Sequence, residues 1–132
     1  MDKGTVLLVE DDLYASRIFK NYFESKGILV EQCFDIGSAF RFVITKNIDV
    51  IVLDNQLPTG QGVDFVAALK KITTVPIIAF TATEKVTLEE KFLKQGVDDY
   101  VQKSRGLPIL YLRIVKVISK SNNIHITDNN GN

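Results

Sequence analysis

At 132 residues the chain is long enough for one domain that buries roughly two thirds of its unfolded surface. Its 16 basic residues balance 16 acidic ones, so the electrostatic footprint of a nucleic-acid-binding protein is missing; 45% apolar and 24% charged residues is ordinary for a water-soluble globular domain. No apolar run approaches the ~18 residues that span a bilayer, and Met1-Asp2-Lys3-Gly4 leads straight into a strand-like run rather than a signal peptide. A cytoplasmic protein with no membrane contact is therefore expected.

Thr5-Val6-Leu7-Leu8-Val9 reads as a buried strand and ends on three acids, Glu10-Asp11-Asp12. From Leu13 to Lys26, the residues Ile18, Phe19, Tyr22 and Phe23 recur at three- and four-residue spacing, which predicts an amphipathic helix. Asp12 is placed to cap that helix and Gly27 to end it. A second strand over 28–33 carries Cys33, which has no second cysteine to pair with and apolar neighbours, so an inert, largely buried thiol is expected. Helical spacing resumes from Gly37 to Lys46. The third strand, in Ile48-Asp49-Val50-Ile51-Val52-Leu53, closes on Asp54 and breaks at once into Asn55-Gln56-Leu57-Pro58-Thr59-Gly60.

Gly62 to Ile72 is a third helical pattern, in which Val63, Val66, Ala67 and Leu69 recur. Pro76-Ile77-Ile78-Ala79-Phe80 is the fourth strand and ends on Thr81-Ala82-Thr83; a helix from Lys85 to Gln95 follows and stops at Gly96. The fifth strand, Val97-Asp98-Asp99-Tyr100-Val101-Gln102, ends on Lys103. The last helix, from Pro108 to Ile118, is apolar nearly all round, more than one face against a sheet requires; it has either a wide core face with a few tolerated exposed apolar residues or a second contact, to another copy or an output domain. Residues 121–132 are Asn-rich and read as a polar tail or linker stub after a domain spanning 1–120. The only histidine, His125, lies in that tail, so a phosphodonor within the chain is not expected.

Strict alternation of strands and helices, with strands apolar on both faces, predicts an α/β fold: a doubly wound five-stranded parallel sheet in the order 2-1-3-4-5. In such sheets ligands bind beyond the carboxyl ends of the strands at the switch point, here between strands 1 and 3. Those are the two strands that end in acids. Alone, an acidic pair after a strand is more simply a helix cap, a terminal Thr a turn residue and a single Lys a solvated charge. Together on one edge they compose a site. Clustered carboxylates repel one another unless a cation neutralises them, and Mg²⁺ suits an all-oxygen set while leaving room for a phosphate oxygen. Thr81 and Lys103 supply the hydroxyl and point charge that a phosphoryl group needs.

At these positions the chain resembles the receiver domains of two-component response regulators, which share the flavodoxin-like sheet, over about Thr5 to Ser119. The resemblance implies that Asp54 is the phosphoryl acceptor, that Glu10, Asp11, Asp54 and the Gln56 backbone carbonyl hold Mg²⁺, that Lys103 pairs with acceptor and phosphate, and that Thr81 and Tyr100 form the switch. It further implies a sensor histidine kinase or phosphotransfer protein as partner, an aromatic that turns inward as Thr81 moves, and an output surface on the fourth helix, fifth strand and fifth helix. Gln56 and Thr83 would tune how fast water removes the phosphate. Ser104 departs from the family, which usually has proline after the lysine; a trans or strained link is expected because a cis bond without proline costs about 2.5–4 kcal/mol. Two other readings stand beside this one. A haloacid-dehalogenase-like phosphatase also uses a strand-end Asp, but wants a second Asp where Gln56 stands. A pseudo-receiver would serve only as an interaction scaffold.

Overall fold

The computed structural model describes residues 4–129, with side chains through residue 121. Five strands form one parallel sheet: β1 (Thr5–Val9), β2 (Leu29–Cys33), β3 (Val50–Leu53), β6 (Ile77–Thr81) and β7 (Asp99–Gln102), in the spatial order β2-β1-β3-β6-β7. The numbering skips because a two-residue hairpin, β4 (Gln56–Leu57) with β5 (Gly60–Gln61), occupies the loop after β3. The arrangement is otherwise the predicted 2-1-3-4-5.

Period-two alternation divides each strand between two cores. Leu7, Val9, Ile51, Leu53, Ile77 and Ala79 face α2 (Ile36–Thr45), α3 (Val66–Ile72) and α4 (Val86–Gln95). Val6, Leu8, Val50, Val52, Ile78 and Phe80 face α1 (Leu13–Ser25) and α5 (Leu107–Asn129). Within α1 the predicted stripe keeps Phe19 and Phe23, whose stacked rings lie 4.3 Å apart, with Tyr22 packed partly buried beside them; Ile18 is left 45% exposed. Asp12 caps α1 as expected, its Oδ1 accepting from the N–H groups of Tyr14 (2.9 Å) and Ala15 (3.1 Å).

Several elements differ from the sequence reading, β3 among them, which starts at Val50 rather than Ile48. The third helix begins as a 3-10 turn over Gly62–Phe65 and becomes α-helical only at Val66. The fifth strand starts at Asp99 because the Asp98 carboxylate turns aside to accept from Ile77 N–H (2.8 Å) and Lys70 Nζ (2.7 Å). The last helix continues in backbone to Asn129, beyond the polar turn in composition at residue 119, since no proline or glycine interrupts it before Gly131. His125 lies outside the residues whose side chains are described. Among the described residues there is no cis peptide, Lys103–Ser104 included, and no helix long and apolar enough to cross a membrane.

Cys33 is 2% exposed, and burial, with the charge of Asp35 adding to it, pushes its thiol up to about 12. Alkylation by iodoacetamide in mildly alkaline buffer is expected to be on the order of a thousandfold slower in the native than in the unfolded protein, because only thiolate reacts. Equal rates in the two states would show the thiol to be accessible and ordinary.

Candidate functional site

The sheet register sets the site. Val9 lies opposite both Leu53 and Cys33, so the residues after β1 and β3 emerge at one height. Glu10 N–H donates to the Cys33 carbonyl (3.1 Å) and Asp54 N–H to the Val9 carbonyl (3.1 Å), which carries the ladder one residue past the strands. Glu10 and Asp54 are thereby held 5% and 7% exposed, while Asp11 stands exposed beside them. The three offer oxygens that lie within 4.8 Å of one another.

Lys103, at the start of a 3-10 turn after β7, reaches across to both buried acids. Its Nζ donates to Glu10 Oε1 at 2.5 Å and to Asp54 Oδ2 at 3.1 Å. The other Asp54 oxygen, Oδ1, accepts from Asn55 N–H at 2.7 Å. Thr81, at the end of β6, is 1% exposed, and its hydroxyl oxygen faces Thr83 N–H at 3.4 Å. Glu10, Asp11, Asp12, Asp54, Gln56, Thr81, Ala82 and Lys103 line one cleft of about 180 Å³. Every residue predicted for the acceptor and metal set is therefore in one place.

Tyr100 is the exception. It lies behind the cleft, 9% exposed, with its ring 5.7 Å from that of Phe92 and its hydroxyl donating to the Thr83 carbonyl at 3.0 Å. The ring is thus inward in the arrangement where Thr81 faces Thr83 N–H. Thr83 joins the two: its N–H meets Thr81 and its carbonyl meets Tyr100.

Electrostatically the cleft is short of positive charge. Burial raises the carboxyl of Glu10 above its ordinary 4.5, and the neighbouring Asp54 adds to this against the opposing pull of Lys103. Burial pulls the Lys103 ammonium down, but its bonds and charge contacts with Glu10 and Asp54 prevail and raise it above 10.5. One ammonium, bonded to Glu10 and Asp54, stands against three carboxylates, a deficit that a divalent cation would fill. The donors are all oxygen, and one ligand remains exposed to solvent, which suits a hard, partly hydrated ion such as Mg²⁺.

Comparison with known proteins gives the architecture a family. The model of the response regulator receiver domain matches residues 6–115. The chain belongs to that family. Among relatives, this receiver domain is 30% identical over 109 residues to the KDP operon transcriptional regulatory protein KdpE of Escherichia coli, an alignment covering 83% of this chain and 48% of KdpE. It is 29% identical over 127 residues to the E. coli transcriptional regulatory protein CpxR, covering 96% of this chain and 54% of CpxR. The chain therefore spans about half the length of these curated relatives. Among solved structures, the Francisella response regulator 1452 receiver domain superposes with a TM-score of 0.84 at 29% identity, covering 90% of this chain and 99% of that one.

Two features of the site escaped the sequence reading. Asn55 is a buried polar residue, 5% exposed, that bonds the acceptor through its backbone and Val63 N–H through its side chain (3.1 Å). Standing between Asp54 and Gln56 in a polar loop, it carries no signal of its own in the sequence. Beside the cleft lies a second, mostly apolar one of about 250 Å³, lined in part by Leu8, Tyr14, Ile18, Phe80 and Leu107, which shares Glu10 and Lys103 with the first. It is the larger, but its lining lacks the donor set that chemistry requires.

Proposed function

We propose that this receiver domain, spanning residues 1–120, accepts a phosphoryl group on Asp54 from a phosphohistidine of a sensor kinase or phosphotransfer protein. The observation that carries this reading is the convergence of Glu10, Asp11 and Asp54 with Lys103 bridging the two buried acids. An Asp54 carboxylate oxygen attacks phosphorus; the new O–P bond forms as the P–N bond breaks, and the imidazole leaves with the electron pair and takes up a proton. Glu10, Asp11, Asp54 and the Gln56 carbonyl would hold Mg²⁺, which supplies neutralising charge to the transferring oxygens. Lys103 exchanges its contact with Asp54 for one with the phosphoryl group and keeps Glu10 in place. Exposed Tyr14 and half-exposed Ile18 line the apolar cleft beside the acceptor and give a protein donor a surface to rest on.

The switch follows from the Thr83 link. When the Thr81 hydroxyl turns to donate to the phosphoryl group, Thr83 N–H loses its partner and the segment holding the Tyr100 hydroxyl shifts. The signal then reaches the face formed by α4, β7 and α5. On those elements Val86, Leu93 and Leu112 are 71%, 51% and 59% exposed, and Arg113 pairs with Asp99 (2.8 Å). This is the surface proposed to meet a second copy or an output domain, and with it transcriptional regulation as named for the relatives. Gln56 and Thr83 flank the phosphate's approach and set the rate of its hydrolysis.

The test is incubation with acetyl phosphate and Mg²⁺, followed by intact mass and peptide mapping. A Mg²⁺-dependent phosphoryl adduct on Asp54 is expected. No adduct with this donor or with a phosphorylated histidine phosphotransfer protein would leave only the scaffold reading; rapid turnover of phosphate esters would instead indicate a phosphatase.

A pH dependence also follows. Because burial raises Glu10 in the folded state, its contribution to metal-free stability is full below about its ordinary 4.5 and is lost as pH rises through the elevated folded value. Mg²⁺ needs the same group deprotonated, so Mg²⁺ affinity is expected to fall on acidification from a pH above that of an ordinary glutamate. Thermal melts and calorimetric Mg²⁺ titrations across pH, with Glu10→Gln as reference, measure both effects. A Mg²⁺ affinity that stays flat until pH 4.5 would contradict them.

A further inference from the structure

We infer that Asn55 is the positioning residue that sets the Mg²⁺ affinity of this centre, an inference that rests on the proposed metal set and adds a residue to it. The backbone of Asn55 donates to the acceptor at Asp54 Oδ1 (2.7 Å), and its carbonyl accepts from Gly62 N–H (2.7 Å). Its side-chain Oδ1 accepts from Val63 N–H (3.1 Å), eight residues on. One residue therefore grips the acceptor at one end and two successive N–H groups of the opening helical turn at the other. Those N–H groups have no partner within their own helix, which is why an oxygen from across the loop is needed.

The ten residues so clasped, 54–63, include the Gln56–Leu57 and Gly60–Gln61 hairpin. Gln56 is the next residue after Asn55, so the place of its carbonyl is fixed by the same clasp. A ligand carried on a free loop must be ordered at the moment the ion binds; one on a loop already clipped at both ends is pre-organised. Burial makes the clip durable, because Asn55 and Val63 are 5% and 0% exposed and water does not compete for their bond.

Asn55→Leu keeps the bulk and removes the acceptor. Measured by calorimetry below the melting transition, its Mg²⁺ affinity is expected to fall about tenfold, as for other residues that orient a metal ligand. Linkage requires the reciprocal effect in the unaltered protein: saturating Mg²⁺ should raise protection of the Val63 amide against hydrogen exchange by about the same factor. This second measurement serves even if Asn55→Leu does not fold. Undiminished Mg²⁺ affinity in Asn55→Leu, with only a lowered melting temperature, would reduce Asn55 to a helix cap and overturn the inference. So would a Val63 amide indifferent to Mg²⁺. Asp54→Asn and Glu10→Gln in the same titration separate this from failure of the metal set itself: if neither weakens binding, the centre has been misread.

Discussion

Asp54→Asn is expected to abolish the phosphoryl adduct completely while leaving the protein folded. Asparagine fills the same volume and keeps an oxygen for Asn55 N–H; its amino group replaces the oxygen that accepted from Lys103, whose Nζ keeps its bond to Glu10. What disappears is the nucleophilic carboxylate and one of the three acids available to the metal, and Mg²⁺ affinity should drop about tenfold or more. Stability should move the other way. The charge of Asp54 is one reason that Glu10 is held high, so neutralising it relieves repulsion in a buried cluster, and the metal-free variant should melt no lower than the parent protein. Intact mass after acetyl phosphate treatment and thermal melts with and without Mg²⁺ decide both points. Retention of a phosphoryl group by the variant would move the acceptor elsewhere in the cleft.

Gly62→Ala is expected to be severely destabilising, for want of space rather than of backbone freedom. A Cβ at Gly62 would stand 2.1 Å from the Asp54 carbonyl oxygen and 3.2 Å from Leu53 Cγ. The first contact is with backbone and cannot be relieved by rotating a side chain. Gly62 N–H is also tied to the Asn55 carbonyl, so the loop cannot give way without opening the clasp. A loss of about 3 kcal/mol or more is expected, together with a shift of Asp54 that impairs phosphorylation. Gly96→Ala is the matched control: that glycine has φ 106° but nothing within 4 Å of a new Cβ, so it should lose only about 1 kcal/mol from backbone strain. Urea unfolding of the two variants compares crowding with conformation directly. A Gly62→Ala loss no greater than that of Gly96→Ala would mean that the approach of the two backbones is not held.

Much of the site was legible because strand ends are legible. An apolar run that stops on a charged or hydroxyl residue needs no tertiary information to be seen, and alternation with helices forces those ends onto one edge. That logic reached Glu10, Asp11, Asp54, Thr81 and Lys103. Asn55 was missed because its role depends on a residue eight positions away, and a buried amide has no periodic signature. The bond from the Tyr100 hydroxyl to the Thr83 carbonyl was likewise out of reach, since it depends on another loop.

The order of elements, the two-faced apolar strands and the identity of the polar strand ends were determined by the sequence alone, because local propensity and hydrophobic period act over a few residues. Tertiary structure decided the rest. Long-range register brought one ammonium between two buried carboxylates, made Gly62 a contact of Asp54, and hung Thr81 and Tyr100 on the two sides of Thr83. Those facts arise from where chain segments meet, and the energies involved, of burial, of crowding and of a shared charge, exist only once they have met.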